Sequence, residues 1–143
     1  MKESLDPKAW WNRAMQDFRV ARLAAKDDVV NLAATICYCC QQACEKMLKA
    51  YLLSTGWKLV KTHDLRMLAN EAKKTVPALS LLLPLLLDLN ADFNQSRYPF
   101  TFDETVGDAD AKQAIETMER LELLLKEHVL TDPDNAQLKH RDE

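Results

Sequence analysis

Residues 37–50 read CYCCQQACEKMLKA and crowd four cysteines, two glutamines, one glutamate and two lysines into a single stretch. Such a density could hold a metal, run thiol redox chemistry, or present a polar working face. A metal site wants ligand pairs from separate segments, or histidines at ligand spacing, and neither stands beside these thiols. A disulfide framework staples distant segments, which four neighbours on one helix cannot do. At 100° per residue, Ile36, Cys40, Ala43, Met47 and Ala50 fall in one narrow sector, with Cys37 and Cys44 on its flanks. Cysteine in such a place acts as a small hydrophobe. The thiols are therefore expected in the core, reduced and without metal.

The other side of the same helix carries Tyr38, Gln42, Lys46 and Lys49, at steps of four, four and three. A solvated face often pairs opposite charges; here two uncharged side chains lead into two cations. Two polar stretches follow. His63 lies in KTHDL next to a capping Asp64. It can hydrogen-bond within a helix start, or donate a proton or contact a ligand. Arg97 precedes Tyr98 and Pro99 in SRYP. Proline there ends a helix, while a planar cation beside an aromatic ring also suits a phosphate or a base.

These side chains need elements to position them. Asp6-Pro7 has the form of a helix start, an N-cap followed by proline. Trp10, Ala14, Phe18, Ala21 and Ala25 then repeat at three- and four-residue steps to about Lys26. Asp27-Asp28 is expected to interrupt that helix and cap a second, from about Val29 to Ser54, which Gly56 stops. Asp64 or Thr62 caps a short third helix whose buried side is Leu65, Leu68, Ala69 and Ala72. Residues from about Ala78 to Phe93 are nearly all leucine, which describes a helix buried on most sides, or the centre of a bundle. Pro84 must kink it or sit in its first turn. The stretch NQSRYPFTFDE should not continue it, because proline pushes the residue before it out of helical geometry. A last helix from about Asp108 to Val129 carries Ile115, Met118, Leu121, Leu125 and Val129. The expected product is an all-α bundle of four to five helices over residues 1–131, with a polar tail over 132–143 predicted to be disordered.

Composition agrees. The chain has 143 residues, enough for one core, and only two glycines, which disfavours hairpins. A net charge of −3 excludes a chain-wide basic field for nucleic acid, though not a local patch. The N-terminus has no apolar signal region, and the run ALSLLLPLLLDL is too short for a bilayer. A cytoplasmic protein without a membrane segment is expected.

The order AWWNRAMQDFRVA, CQQACEKMLKAYLLSTG, KTHDL, SRYP and a C-terminal amphipathic helix resembles the HEPN family (higher eukaryotes and prokaryotes nucleotide-binding domain), from about Pro7 to Val129. The resemblance implies an α-helical up-and-down bundle that commonly forms homodimers, and association with a minimal nucleotidyltransferase as a toxin–antitoxin-like pair. It also implies a nucleotide ligand. With no Gly-rich phosphate loop in the chain, that ligand would rest on side chains: Gln42, Lys46 and Lys49 on the second helix, His63 in the loop, and Arg97 and Tyr98 near the end of the fourth. Lysines and Arg97 would neutralise phosphate, and Tyr98 would stack a base. No cofactor is implied. Many members are RNases that use an arginine followed, after four to six residues, by a histidine. Beyond Arg97 those positions hold Phe102, Asp103 and Glu104, and His128 lies too far beyond Arg120. No catalytic residue is assigned on that motif. The alternative is a ribonuclease acting on RNA through a non-standard histidine, His63.

Overall fold

The structure is a computed structural model and describes residues 4–97 and 106–131. Five helices follow one another: α1 (Pro7–Asp28), α2 (Ala33–Ser54), α3 (Leu65–Lys73), α4 (Leu79–Arg97) and α5 (Asp108–Leu130). Together they form an all-α bundle.

Local chemistry sets most of the boundaries. Asp6 caps α1 by accepting the Lys8 N–H at 3.0 Å, with Pro7 in the first turn, where its missing N–H costs nothing. The Asp27-Asp28 pair does not interrupt α1, which runs through both. Asp28 instead ties the turn beyond the helix: it accepts the Asn31 backbone N–H at 3.0 Å and the Asn31 side-chain amide at 2.8 Å. Those bonds hold its carboxyl below the usual carboxylate value. The turn occupies residues 29–32, so α2 starts four residues later than its apolar pattern suggests. Gly56 ends α2 at φ 88°, a left-handed conformation that suits glycine. There the Gly56 N–H reaches the Leu53 carbonyl and the Trp57 N–H the Leu52 carbonyl, closing the last turn.

α2, not the leucine-rich α4, is the central helix. It packs against each of the other four. It buries Ile36, Cys40, Ala43, Met47 and Ala50 as its pattern predicts, and also residues well outside that sector. Among the described side chains of α4, only Leu79, Leu82, Leu86 and Leu89 are buried, while Leu81 is 78% exposed and Leu87 is exposed too. Leucine on both faces hides an amphipathic helix from any count of apolar residues. Pro84 lies in the second turn on an exposed face, where the carbonyl left without a donor can meet water. The α4 backbone continues to Arg97, past the expected stop near Phe93. On α1 the core stripe is Trp11, Ala14, Phe18 and Ala21, with Trp10 only partly buried. α3 and α5 bury the predicted residues, except that Ile115 is partly exposed. No helix among the described residues is long and apolar enough to cross a membrane.

Candidate functional site

The thiols belong to the core. All four cysteines are unbridged, with Cys37, Cys40 and Cys44 buried and Cys39 half-buried. Burial raises the Cys40 and Cys44 thiols far above the ordinary cysteine range, and the neighbouring thiols push Cys40 further. Cys39 is raised less, by burial first and the Asp17 charge second, with Lys46 opposing. Thiolate is the reactive form, so these are poor nucleophiles. Among the described residues no three His, Cys, Asp or Glu side chains group closely enough to hold a metal.

The polar side of α2 divides in two. Lys46 leans onto α1, where its Nζ meets the Asp17 carboxylate at 2.5 Å. Lys49 turns inward. It is 2% exposed, and its Nζ lies 3.2 Å from Glu45 Oε2 and 5.1 Å from the centre of the Trp10 ring. Gln41, Glu45 and Lys49 recur at steps of four and form a second polar stripe, all of it buried. Charge so deeply buried persists only when each atom is partnered. Here Glu45 Oε2 takes Lys49, Glu45 Oε1 takes His63, and the Trp10 face completes the ammonium's surroundings. Trp10 is itself held by its indole N–H, which donates to the Ser4 carbonyl at 2.6 Å.

His63 lies at the outer end of this chain of contacts. Its Nδ1 is 2.8 Å from Glu45 Oε1, yet the side chain is 69% exposed. An ionised carboxylate only accepts, so Nδ1 is the donor, and in the neutral ring the lone pair belongs to Nε2. The loop is fixed from two helices. From α2, the Gln41 amide donates to the His63 carbonyl at 3.2 Å. From α4, the Asn90 side-chain oxygen accepts the Leu65 N–H at 2.9 Å. Asp64 caps α3 by accepting the Arg66 N–H, and Thr62 accepts the Asp64 N–H. Both predicted capping residues are thus used, one for the helix and one for the cap.

Of the six residues expected to converge, three meet here. His63 touches Glu45, Lys49 reaches it through Glu45, and Gln42 reaches it by donating to Gln41 at 3.0 Å. Lys46 does not join them: it faces Asp17. Arg97 is the last residue of α4; its side chain, like the whole of Tyr98, lies outside the described residues. The expected reading missed Glu45, Gln41, Asn90 and Trp10. The available signal was the Gln41, Glu45, Lys49 step of four, which places an acid and a base together on the side toward KTHDL. Chemically the arrangement offers one exposed imidazole on a buried carboxylate. The two α2 cations each already have an anion.

Residues 7–128 match the family model for the HEPN domain. Among solved structures the chain is similar to the crystal structure of ST0689, an archaeal HEPN homologue, with 23% identity and a TM-score of 0.66, over 90% of this chain and 99% of that one. At that identity the likeness concerns the fold alone. No curated protein matches. The matched span runs from the first residue of α1 into the last turn of α5 and takes in α2 with its KTHDL loop, so the chain belongs to the HEPN family.

Proposed function

We propose that this HEPN protein works by docking. It pairs with a minimal nucleotidyltransferase in a toxin–antitoxin-like unit, and with a second copy of itself, rather than holding a nucleotide on α2. The supporting observation is the pairing of the cations: Asp17 holds Lys46 and Glu45 holds Lys49. A phosphate at Lys49 would have to displace a carboxylate from a pair that is 3% exposed on both sides. Meanwhile Leu81, Leu123 and Leu23 stand 78%, 76% and 57% exposed, apolar surface that a partner can cover. The test is light scattering of the protein alone and after co-expression with a minimal nucleotidyltransferase. The expected masses are twice 16.4 kDa alone, and that of a complex with the partner present. ATP or GTP at low salt should give no thermal shift that depends on Lys46. A monomer that ignores the nucleotidyltransferase, but is stabilised by ATP in a Lys46-dependent way, would overturn the reading.

One observation favours a second reading, a ribonuclease acting on RNA through His63. The imidazole faces solvent while a buried carboxylate engages its inner nitrogen. The two readings are compatible, because a partner seated over His63 would silence it.

A further inference from the structure

We infer that the outer face of α1 around Leu23 is a docking surface for an acidic helix of a partner protein, one that carries carboxylates on either side of a single apolar side chain. The inference rests on the docking reading and adds to it a face and a chemistry.

The first argument is from charge. Arg19, Arg22 and Lys26 follow one another on α1 at steps of three and four, so they share one face, and all three are exposed. Among the described residues none of them has a carboxylate partner. Acid is not scarce: the chain holds 22 Asp and Glu against 19 Lys and Arg. Lys46, Lys49, Lys74 and Lys112 each have a carboxylate. On α1 itself, Asp17 is taken by Lys46, and Asp27 lies about 100° round the helix from Lys26. Like charges three and four residues apart repel, and a partner's carboxylates would relieve that cost. Arg22 lies over the Phe18 ring, 5.5 Å from its centre, which holds the guanidinium without using its N–H groups.

The second argument is from shape. Phe18, Arg19, Arg22, Leu23 and Lys26 line an open concavity of about 460 Å³. Phe18 is buried and Leu23 is 57% exposed, so an apolar patch stands among the cations. That pattern selects the occupant. A lone phosphate wants its donors converged, and these cations are strung along about 10 Å of helix. A nucleic-acid backbone would follow the cations but lay phosphate against Leu23. An anionic bilayer takes a helix with a wide apolar face, and here one leucine stands in the stripe, with Val20 about 100° away from Arg19. A helix with glutamates at i, i+3 and i+7 and leucine at i+4 meets both parts: guanidinium forks suit carboxylates, and the leucine covers Leu23.

The experiment uses the full-length protein and a fluorescent synthetic helical peptide of that pattern, read by anisotropy at low salt. Matched peptides carry glutamine for each glutamate, or serine for the leucine. The proteins are wild type, Arg19→Gln/Arg22→Gln/Lys26→Gln and Leu23→Gln. All four positions are exposed, and melting curves establish that each protein is folded. Wild type should bind the acidic peptide, and added salt should weaken it. The triple variant and the glutamine peptide should each lose at least about 10-fold in affinity, and Leu23→Gln and the serine peptide about 3- to 10-fold. No binding to wild type at protein up to about 1 mM, or equal binding by the triple variant, would overturn the inference. So would a single-stranded RNA oligonucleotide or anionic phospholipid vesicles that bind through these cations where the peptide does not. A dimer that the triple variant turns into monomers would give the face to a second copy instead. Light scattering with the co-expressed nucleotidyltransferase separates the two readings. A complex that forms equally with wild type and the triple variant removes this face alone. A wild type that binds the peptide as expected but forms no complex keeps the face and removes only that partner. A wild type that binds neither removes both.

Discussion

Replacing Lys49 with methionine should destabilise the protein far more than replacing Lys46, although both lysines lie on α2 and both pair with a carboxylate. Methionine keeps most of the lysine stem, so the change removes the ammonium alone, together with its place over the Trp10 ring. In Lys49→Met the Glu45 carboxylate, 3% exposed, keeps only the His63 donor. Removing one partner of a buried pair costs about 3–5 kcal/mol, and the surviving His63 bond places the cost near the lower end, about 3 kcal/mol. The Lys46–Asp17 pair is 17% and 27% exposed, so solvent screens it and Lys46→Met should cost about 1 kcal/mol or less. The double change Glu45→Gln/Lys49→Met leaves no unpaired buried charge and should recover part of the loss, to within about 1–2 kcal/mol of wild type. Urea unfolding at pH 7 is the assay. With a slope of about 2 kcal/mol per molar, Lys49→Met should move the midpoint down by about 1.5 M. The Lys49 effect should change little between low and high salt, and the Lys46 effect should shrink. A Lys49→Met midpoint within about 0.5 M of wild type, or a double variant less stable than Lys49→Met, would refute the reasoning.

Three further outcomes are expected. Gly56→Ala should cost about 1–2 kcal/mol in urea melts, purely through the backbone, since φ is 88° and an added Cβ meets nothing within 4 Å. Leu86→Ala, in the core, should cost about 2–5 kcal/mol, whereas Leu81→Ala on the same helix should change the stability of the isolated chain by no more than about 0.5 kcal/mol. Alkaline pH should weaken the fold through the thiols. Burial raises Cys40 and Cys44 in the folded state, whereas in the unfolded chain they ionise at an ordinary value of about 8.5. Stability is therefore fully kept below that value and falls as pH climbs above it, by up to about 1.4 kcal/mol per unit for each thiol. Melts at pH 8 and pH 10 in reductant should show a steeper fall for wild type than for Cys44→Ala.

The bundle was legible because its signals are local and redundant. Asp6-Pro7, Gly56 and Asp64 each mark a helix end by a mechanism that needs no tertiary partner, and each is where a helix starts or stops. The thiol face of α2 was legible because helical period and cysteine's apolar character agree. The leucine helix was not. Leu81 and Leu82 are identical letters, one exposed and one buried, and only packing tells them apart. The site was half legible. His63 was singled out for its place in KTHDL, but its partner was not, because glutamate and lysine on a helix ordinarily signal solvent. That α2 packs against all four other helices, and so buries Glu45 and Lys49, is a property of the assembled bundle. Lys46 and Lys49 looked alike as spare cations for the same reason: Asp17 lies on another helix, and the pairing follows from how α1 crosses α2.

One hydrogen bond decides whether His63 is a directed group or an ordinary surface histidine. Long-range proton–nitrogen NMR of the imidazole at pH 8.5, where an ordinary histidine is neutral, reads it directly. The expected spectrum has a protonated Nδ1 and a lone-pair Nε2 in wild type, and a mixture of both tautomers in the folded Glu45→Gln/Lys49→Met variant. A wild-type His63 that protonates Nε2, or that shows the same mixture as the variant, would contradict it.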